Sequence, residues 1–474
     1  MNENVAALLP ETALAAAAVL GLLAGSWLPR RRQWPVAALV AVACLVGLGA
    51  AAAPLASGRT ELVFSRVFAV DAATGVGRLV VLAALLLVLC LSVETVAGQQ
   101  RESEYVVLLA LSATGSLAMV GAADLLMLFA GFLLTSIPAY GLTGWARDRL
   151  PLEAALKYYL LGALCGVVML AGTTLLYAAA GATGYAELRA ALPAAPHWLT
   201  ALGTVGVLVG LLFKAGAVPA HFWVPDVTDG TPAPVAAYLT TLPKVGALVA
   251  AYRLVHHALP TSGVDWALLL AVVAAASMTL GNLAAFFQDS VRRLLGYSTI
   301  SQVGYLLVAV AVAERSDRAQ QALLFYLAGY AVTNLGAFAV VTHLPRARTL
   351  GDYRGLAAGN PALAGVLLVC LLGLVGTPPT AVFLGKLEIF TAAVDGRYTW
   401  LAALAVLNTV ASLFYYLRWL VPVFRPAPEQ GVGEALTPAG RWSRLAAYGA
   451  GAASLALGIA AAVTLPATTG ALLP

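Results

Sequence analysis

The sequence predicts an all-α polytopic membrane protein with about fourteen transmembrane helices, and three observations carry that prediction. Of 474 residues 61% are hydrophobic and 10% charged, with a mean hydropathy of +0.88. Soluble globular proteins carry roughly 25% charged residues, so the composition excludes a soluble enzyme, a disordered scaffold and a nucleic-acid binder. The apolar residues also lie in runs of about 20, the length a helix needs to cross the hydrocarbon core. Finally, 23 of the 27 basic residues are arginines, mostly in the gaps between runs, while the other 4 are lysines inside or at the edge of them. The net charge of +5 is therefore a property of loops, not a sign of an acidic partner.

Only helices or closed barrels satisfy their backbone in hydrocarbon, and these runs are too continuous for barrel strands. The spans are read as 12–28, 34–55, 76–96, 105–119, 125–142, 154–180, 201–221, 232–255, 266–287, 294–313, 320–343, 362–394, 400–424 and 445–465. Glu3 and Glu11 lie around the first run and no basic stretch precedes it, so it is expected to remain as a helix rather than be cleaved. Asp71 and Asp124 open helices, where a carboxylate is an ordinary cap. The sixth run opens with Glu153 and Lys157, four residues apart, as in a surface bridge. The seventh run holds Lys214 followed by Pro219. The twelfth is too long for one straight span and is interrupted at Gly376-Thr377-Pro378-Pro379.

Breaks at membrane depth in two halves of a chain point to inverted-repeat transporters. The two lysines beside these breaks are 172 residues apart (214 and 386). That arrangement predicts broken helices 7 and 12 in two inverted five-helix repeats. The expected organisation is an N-terminal three-helix segment (1–104), a first repeat (105–260), a second repeat (261–424), and a loop with a C-terminal helix (425–474).

Alternate loops divide the arginines unevenly. One set holds Arg30, Arg31, Arg32, Arg101, Arg147, Arg149, Arg292, Arg293, Arg346, Arg348, Arg354, Arg425, Arg441 and Arg444, and the other half as many. The richer set is expected in the cytoplasm, with both termini outside. Cys44, Cys90, Cys165 and Cys370 stand singly without a C-x-x-C spacing, so no metal site is expected. No Walker loop, Rossmann glycine pattern, haem ligand pair or catalytic triad is present. No cofactor and no redox or covalent chemistry is expected in this chain.

Ionisable groups at bilayer depth usually face the bundle interior and mark a conduction path. Lys214, Lys244 and Lys386 are such groups. A desolvated lysine can give up its proton whereas arginine stays charged, so lysine can relay where arginine anchors. His221, at the end of the seventh run, titrates near neutral pH. Thr240, Thr241, Ser298, Thr299, Ser301 and Gln302 are expected to line water, and Tyr305, Tyr330 and Asn334 to pack between helices.

The stretches F-K (213–214), V-P-A-H-F-W-V-P-D-V-T-D-G-T-P-A-P-V-A-A-Y-L (218–239), N-L-A-A-F-F-Q-D-S-V-R-R-L-L-G-Y-S-T-I-S-Q-V-G-Y-L-L (282–307), Y-A-V-T-N-L-G-A-F-A-V-V (330–341) and L-V-G-T-P-P-T-A-V-F-L-G-K (374–386) resemble the antiporter-like membrane subunits of respiratory complex I, the proton-translocating NADH:quinone oxidoreductase. The resemblance runs from about 64 to 424. It implies proton translocation through Lys214, Lys244 and Lys386; the residues themselves add His221 and Lys157 as further candidates and Pro219, Pro378 and Pro379 at the helix breaks, while Glu388, a candidate too, departs from what the resemblance leads one to expect. It also implies a bacterial inner-membrane location and contact with lipids, an antiporter-like M subunit and small K and J type subunits. NADH, flavin, iron–sulfur clusters and quinone are then expected on partner subunits. Glu388 supplies a compensating charge or faces a loop.

The family's fifth-helix stretch resembles F-x-G-x-E-L-x-S-x-P, and here it is F-A-G-F-L-L-T-S-I-P (129–138). Leu133 takes the place of the acid that pairs with the seventh-helix lysine. Two other readings stay open: a subunit of a multi-subunit cation/proton antiporter or membrane-bound hydrogenase, which share the K, H-x-W-x-P-D and P-P-x-x-x-F motifs, and, on the ground of Leu133, a divergent structural subunit that does not pump.

Overall fold

The computed structural model describes residues 4–30, 32–259, 264–426 and 435–474. Arg31 and the expected boundary at 260/261 lie outside the described residues. The chain begins with α1 (Leu9–Trp27), α2 (Trp34–Ser57) and α3 (Ala72–Val96), then α4 (Glu102–Gly121), α5 (Leu125–Thr143) and α6 (Arg149–Ala180). The hairpin β1 (Glu61–Val63) and β2 (Phe68–Val70), antiparallel with Glu61 opposite Val70, joins α2 to α3 and was not legible as strand in so short a loop. A two-turn helix, α7 (Tyr185–Ala191), follows α6. The expected caps are present: the Asp71 carboxylate accepts from the Thr74 amide and Asp124 from the Leu126 and Met127 amides.

The seventh run is α8 (His197–Ala215), and it ends earlier than expected. Gly216 stops it in the left-handed region (φ +78°), and His221 lies beyond the break, before α9 (Trp223–Gly230). The eighth run is also broken, into α10 (Ala233–Leu239) and α11 (Leu242–His257), which the sequence reading did not expect. Pro243 is the physical reason, since its nitrogen cannot donate to the Leu239 carbonyl and its ring crowds it. Continuous helices follow: α12 (Trp266–Ala285), α13 (Val291–Ala311) and α14 (Ala319–His343).

After the short α15 (Leu356–Gly359), the twelfth run divides as predicted into α16 (Pro361–Val375) and α17 (Ala381–Asp395). The last elements are α18 (Thr399–Phe424), α19 (Arg441–Ile459) and α20 (Ala461–Thr464). Among the described residues twelve helices are long and apolar enough to span a membrane, and the bent pair at the C-terminus makes a thirteenth. The remaining expected span is α16 with α17, each 15 residues and too short alone.

The span Ala233–His257, with α13 and α14, is almost wholly enclosed, while α1 and α2 turn most of their surface outward. The polar chemistry therefore sits along a central axis. Ion pairs tie the periphery to it at one end of the bundle. Arg78 of α3 holds Glu11 of α1 at 2.7 Å, and Arg253 of α11 holds Asp71 at 2.6 Å. The chain ends at that same place, where the Leu473 amide donates to Asp71 and its carbonyl accepts from Arg253. The start of α1 and Leu473 thus lie at one end of the bundle.

Candidate functional site

A helix end leaves carbonyls without intrahelical partners and carries partial negative charge. At each break in helices 7 and 12 the structure fills that need with a lysine. Lys244 of α11 donates to the Ala215 carbonyl at the end of α8. Lys386 of α17 donates to the carbonyls of Val375 (2.8 Å) and Leu374 (3.3 Å) at the end of α16. The two ends share their geometry. Gly216 and Gly376 (φ +92°) are both left-handed, and each break holds a cis proline three residues on, Pro219 and Pro379. Gly216 and Ala217 donate to Leu212 as Gly376 and Thr377 donate to Leu372. The carbonyls at 215 and 375 are therefore equivalent, and lysines from different helices reach them.

Lys214 is not the geometric counterpart of Lys386. It lies before its break whereas Lys386 follows one. Its ammonium is fully buried among the rings of Phe132 (5.2 Å), Tyr158 (5.6 Å) and Phe213 (5.9 Å), and donates to the Tyr158 hydroxyl at 3.4 Å. Lys244 lies over the Trp223 ring at 5.5 Å, and Trp223 packs on Tyr158 at 4.4 Å. Lys386 lies 4.1 Å from the Tyr305 ring.

Between Lys244 and Lys386 runs a buried string of polar groups. Asn334 donates to the hydroxyls of Thr240 (3.0 Å) and Thr241 (2.9 Å), at the break one turn before Lys244. Tyr330 donates to the Thr240 carbonyl (2.7 Å) and to Thr299 (3.2 Å). On the same face of α13, Ser298 bonds Tyr416, and Gln302 accepts from Tyr326 and donates to the Leu374 carbonyl (2.8 Å) that Lys386 also touches. Thr409 closes the far end, 3.5 Å from Lys386 and 3.2 Å from Tyr305. Tyr330 and Asn334, expected only to pack, belong to this string. Thr240, Thr241, Ser298, Thr299 and Gln302 lie in it as side chains that could order water, whereas the Ser301 hydroxyl has no hydrogen bond among the described residues.

The other candidates lie elsewhere. Lys157 is on the surface, bridging Glu153 (2.9 Å) and Asp226 (2.8 Å), and Arg293 takes the second Asp226 oxygen at 2.7 Å. Burial alone would lift the Asp226 carboxyl, but the hydrogen bonds from Lys157 and Arg293 outweigh it and hold it below the usual carboxylate range. Glu388 turns away from Lys386 toward the loop, 3.8 Å from Arg318. His221 is buried against Phe222 with Nδ1 unpartnered among the described residues, and no lysine bonds it. Leu133 faces outward, 36% exposed, in a groove between α5 and α6, and Phe132 is the α5 side chain against Lys214. No described cluster of His, Cys, Asp and Glu has a metal-holding arrangement.

The sequence reading missed Tyr158, Trp223, Tyr326, Tyr416 and Thr409. An aromatic or threonine in an apolar run has no signal of its own; the neighbouring Lys157 and the H-F-W-V-P-D stretch were the available pointers.

Residues 122–412 match the family model described as NADH:quinone oxidoreductase/Mrp antiporter, transmembrane region. The NADH-quinone oxidoreductase subunit N 1 of Streptomyces griseus subsp. griseus is 56% identical over 98% of this chain and 98% of its own. The NADH-quinone oxidoreductase subunit N of Mycobacterium sp. (strain JLS) is 51% identical over 94% of each. Among solved structures, a chain of respiratory complex I from Thermus thermophilus superposes with a TM-score of 0.84 at 31% identity, covering 97% of this chain and 99% of that one. A chain of the Mrp complex from Dietzia sp. shares the fold, with a TM-score of 0.85 at 23% identity, covering 98% and 96%.

Proposed function

Because the chain belongs to the subunit N family of antiporter-like membrane subunits of NADH:quinone oxidoreductase, we propose that it carries protons across the membrane through Lys214, Lys244 and Lys386, coupled to quinone reduction elsewhere in the complex. The observation that carries this reading is the buried set of polar groups lying between Lys244 and Lys386, hydrogen-bonded in separate segments: Thr241, Asn334, Thr240, Tyr330 and Thr299 toward Lys244, and Tyr326, Gln302 and the Leu374 carbonyl at Lys386. Lysine suits the role because its charge is conditional on its surroundings. A group that moves protons against about 150 mV must change its proton affinity by about 2.5 pH units between two states. A movable contact between an ammonium and a helix-end carbonyl is one source of such a change.

The chain's neighbours are other membrane-arm subunits, of antiporter-like M type and small K and J type, in a bacterial inner membrane. NADH, flavin, iron–sulfur clusters and quinone belong to partner subunits. The arginine-rich loops face the cytoplasm and both termini face outward. The lack of a carboxylate partner for Lys214 among the described residues favours a second reading, a structural subunit that does not pump. Gentle purification of the tagged chain from its own membranes, with identification of what comes with it, tests membership. Recovery with quinone-site and NADH-oxidising subunits is expected. Recovery with antiporter partners, or alone, would overturn the coupling to quinone reduction.

A further inference from the structure

A buried ammonium needs an acceptor, and an ion without one is far too costly to keep in an apolar interior. Lys214 has a single hydrogen-bond partner among the described residues, the Tyr158 hydroxyl at 3.4 Å. Three rings surround the rest of the charge within 6 Å, where their negative faces supply a further part of the lost hydration. We propose that Tyr158 is the positioning residue for the Lys214 proton, its hydroxyl serving both protonation states of the lysine in the place where a carboxylate is lacking. This rests on the proton-carrying reading above and deepens it.

The chemistry favours a hydroxyl for that task. An ionised carboxylate only accepts, so it stabilises the ammonium and offers nothing to the neutral amine. A phenol accepts from the ammonium and, by turning its O–H, donates to the amine lone pair. Packing holds this phenol in place: Tyr158 is fully buried, stacked on Phe213 at 5.7 Å, tilted on Trp223 at 4.4 Å, and met edge-on by Tyr140 at 5.0 Å. Trp223 is also the ring beneath Lys244, so one aromatic pair lines both ammonium sites. The titratable groups facing Lys214 and Tyr158 are Tyr140 of α5, Tyr238 of α10 and Lys244 of α11. From α8 and α9 the contacts are Phe213 and Trp223.

The test uses the assembled complex in liposomes, with proton uptake driven by quinone reduction followed against pH. Variants are Tyr158→Phe, Lys214→Ala, the two combined, and the outward-facing Tyr177→Phe as a comparison. Tyr158→Phe keeps the ring and removes the acceptor. Uptake is expected to fall several-fold at neutral pH, and the alkaline limb of the profile to move down by about one pH unit. Added to Lys214→Ala, the same change should cost nothing more, because its effect passes through the lysine. An unchanged rate and profile in Tyr158→Phe, with uptake lost in Lys214→Ala, would overturn the role of Tyr158 alone. Additive losses in the double variant would do the same, since the hydroxyl would then act independently of Lys214. Full uptake in Lys214→Ala would instead bring down the proton-carrying reading on which this rests.

Discussion

At the scale of single residues, one glycine, Gly216, decides whether Lys244 can reach a helix end. A Cβ on Gly216 would lie 2.8 Å from the Lys244 ammonium and 2.7 Å from Val224, and the residue is already left-handed. Gly181, at the end of α6, has nearly the same backbone (φ +71°) and open space around it. Changing either to alanine adds about 1–2 kcal/mol of backbone strain. Gly216→Ala is also expected to push Lys244 off the Ala215 carbonyl and lower proton uptake several-fold, while Gly181→Ala leaves uptake near wild type. Equal losses in both would show that the lysine contact does not matter. Lys214, Lys244 and Lys386 were legible in the sequence because a charge in an apolar run is conspicuous. Tyr158 was not, since a tyrosine there satisfies any packing model. Lys157 and Glu388 misled because a charge in a helical run need not face the axis: Lys157 turns to the surface, and Glu388, half-buried at the middle of α17, lies nearest Arg318 rather than Lys386.

At the scale of elements, the α3–α11 contact depends on one fully buried ion pair. Arg253 gives two hydrogen bonds to Asp71, a third to Thr74 and a fourth to the Leu473 carbonyl. Burial works to raise the Asp71 carboxyl, but Arg253 and the Leu473 and Thr74 amides prevail and hold it below the usual carboxylate range. Asp71→Asn leaves a buried guanidinium uncompensated, which costs about 3–5 kcal/mol. The expected result is a lower thermal midpoint for the detergent-purified complex. Since the native carboxyl is the stronger acid, its contribution is complete above the ordinary carboxylate range and is lost as pH falls through the lowered native value. The gap between wild type and variant should therefore be constant down to about pH 4 and narrow below it. A gap that widens on acidification would contradict the sign. The breaks at Pro219 and Pro378-Pro379 were legible because proline and glycine coincide there. The break between α10 and α11 was not, because Pro243 alone, at the second position of α11, reads equally well as the start of a helix or a kink within one.

At the scale of the whole molecule, a periphery that satisfies lipid surrounds an axis that satisfies charge. Composition and run length made the membrane class and nearly every span readable. The position of the axis was not, since which helices lie innermost depends on packing between runs that look alike. The central claim is that this axis moves protons. Its most direct measurement is proton uptake by liposomes carrying the purified complex, with wild-type chain and with Lys386→Met. Electron transfer from NADH to a soluble acceptor that bypasses the membrane arm serves as the check on assembly. The account predicts that this transfer is unchanged while quinone-driven proton uptake falls several-fold. Uptake equal to wild type, in a complex that assembles and turns over normally, would contradict it.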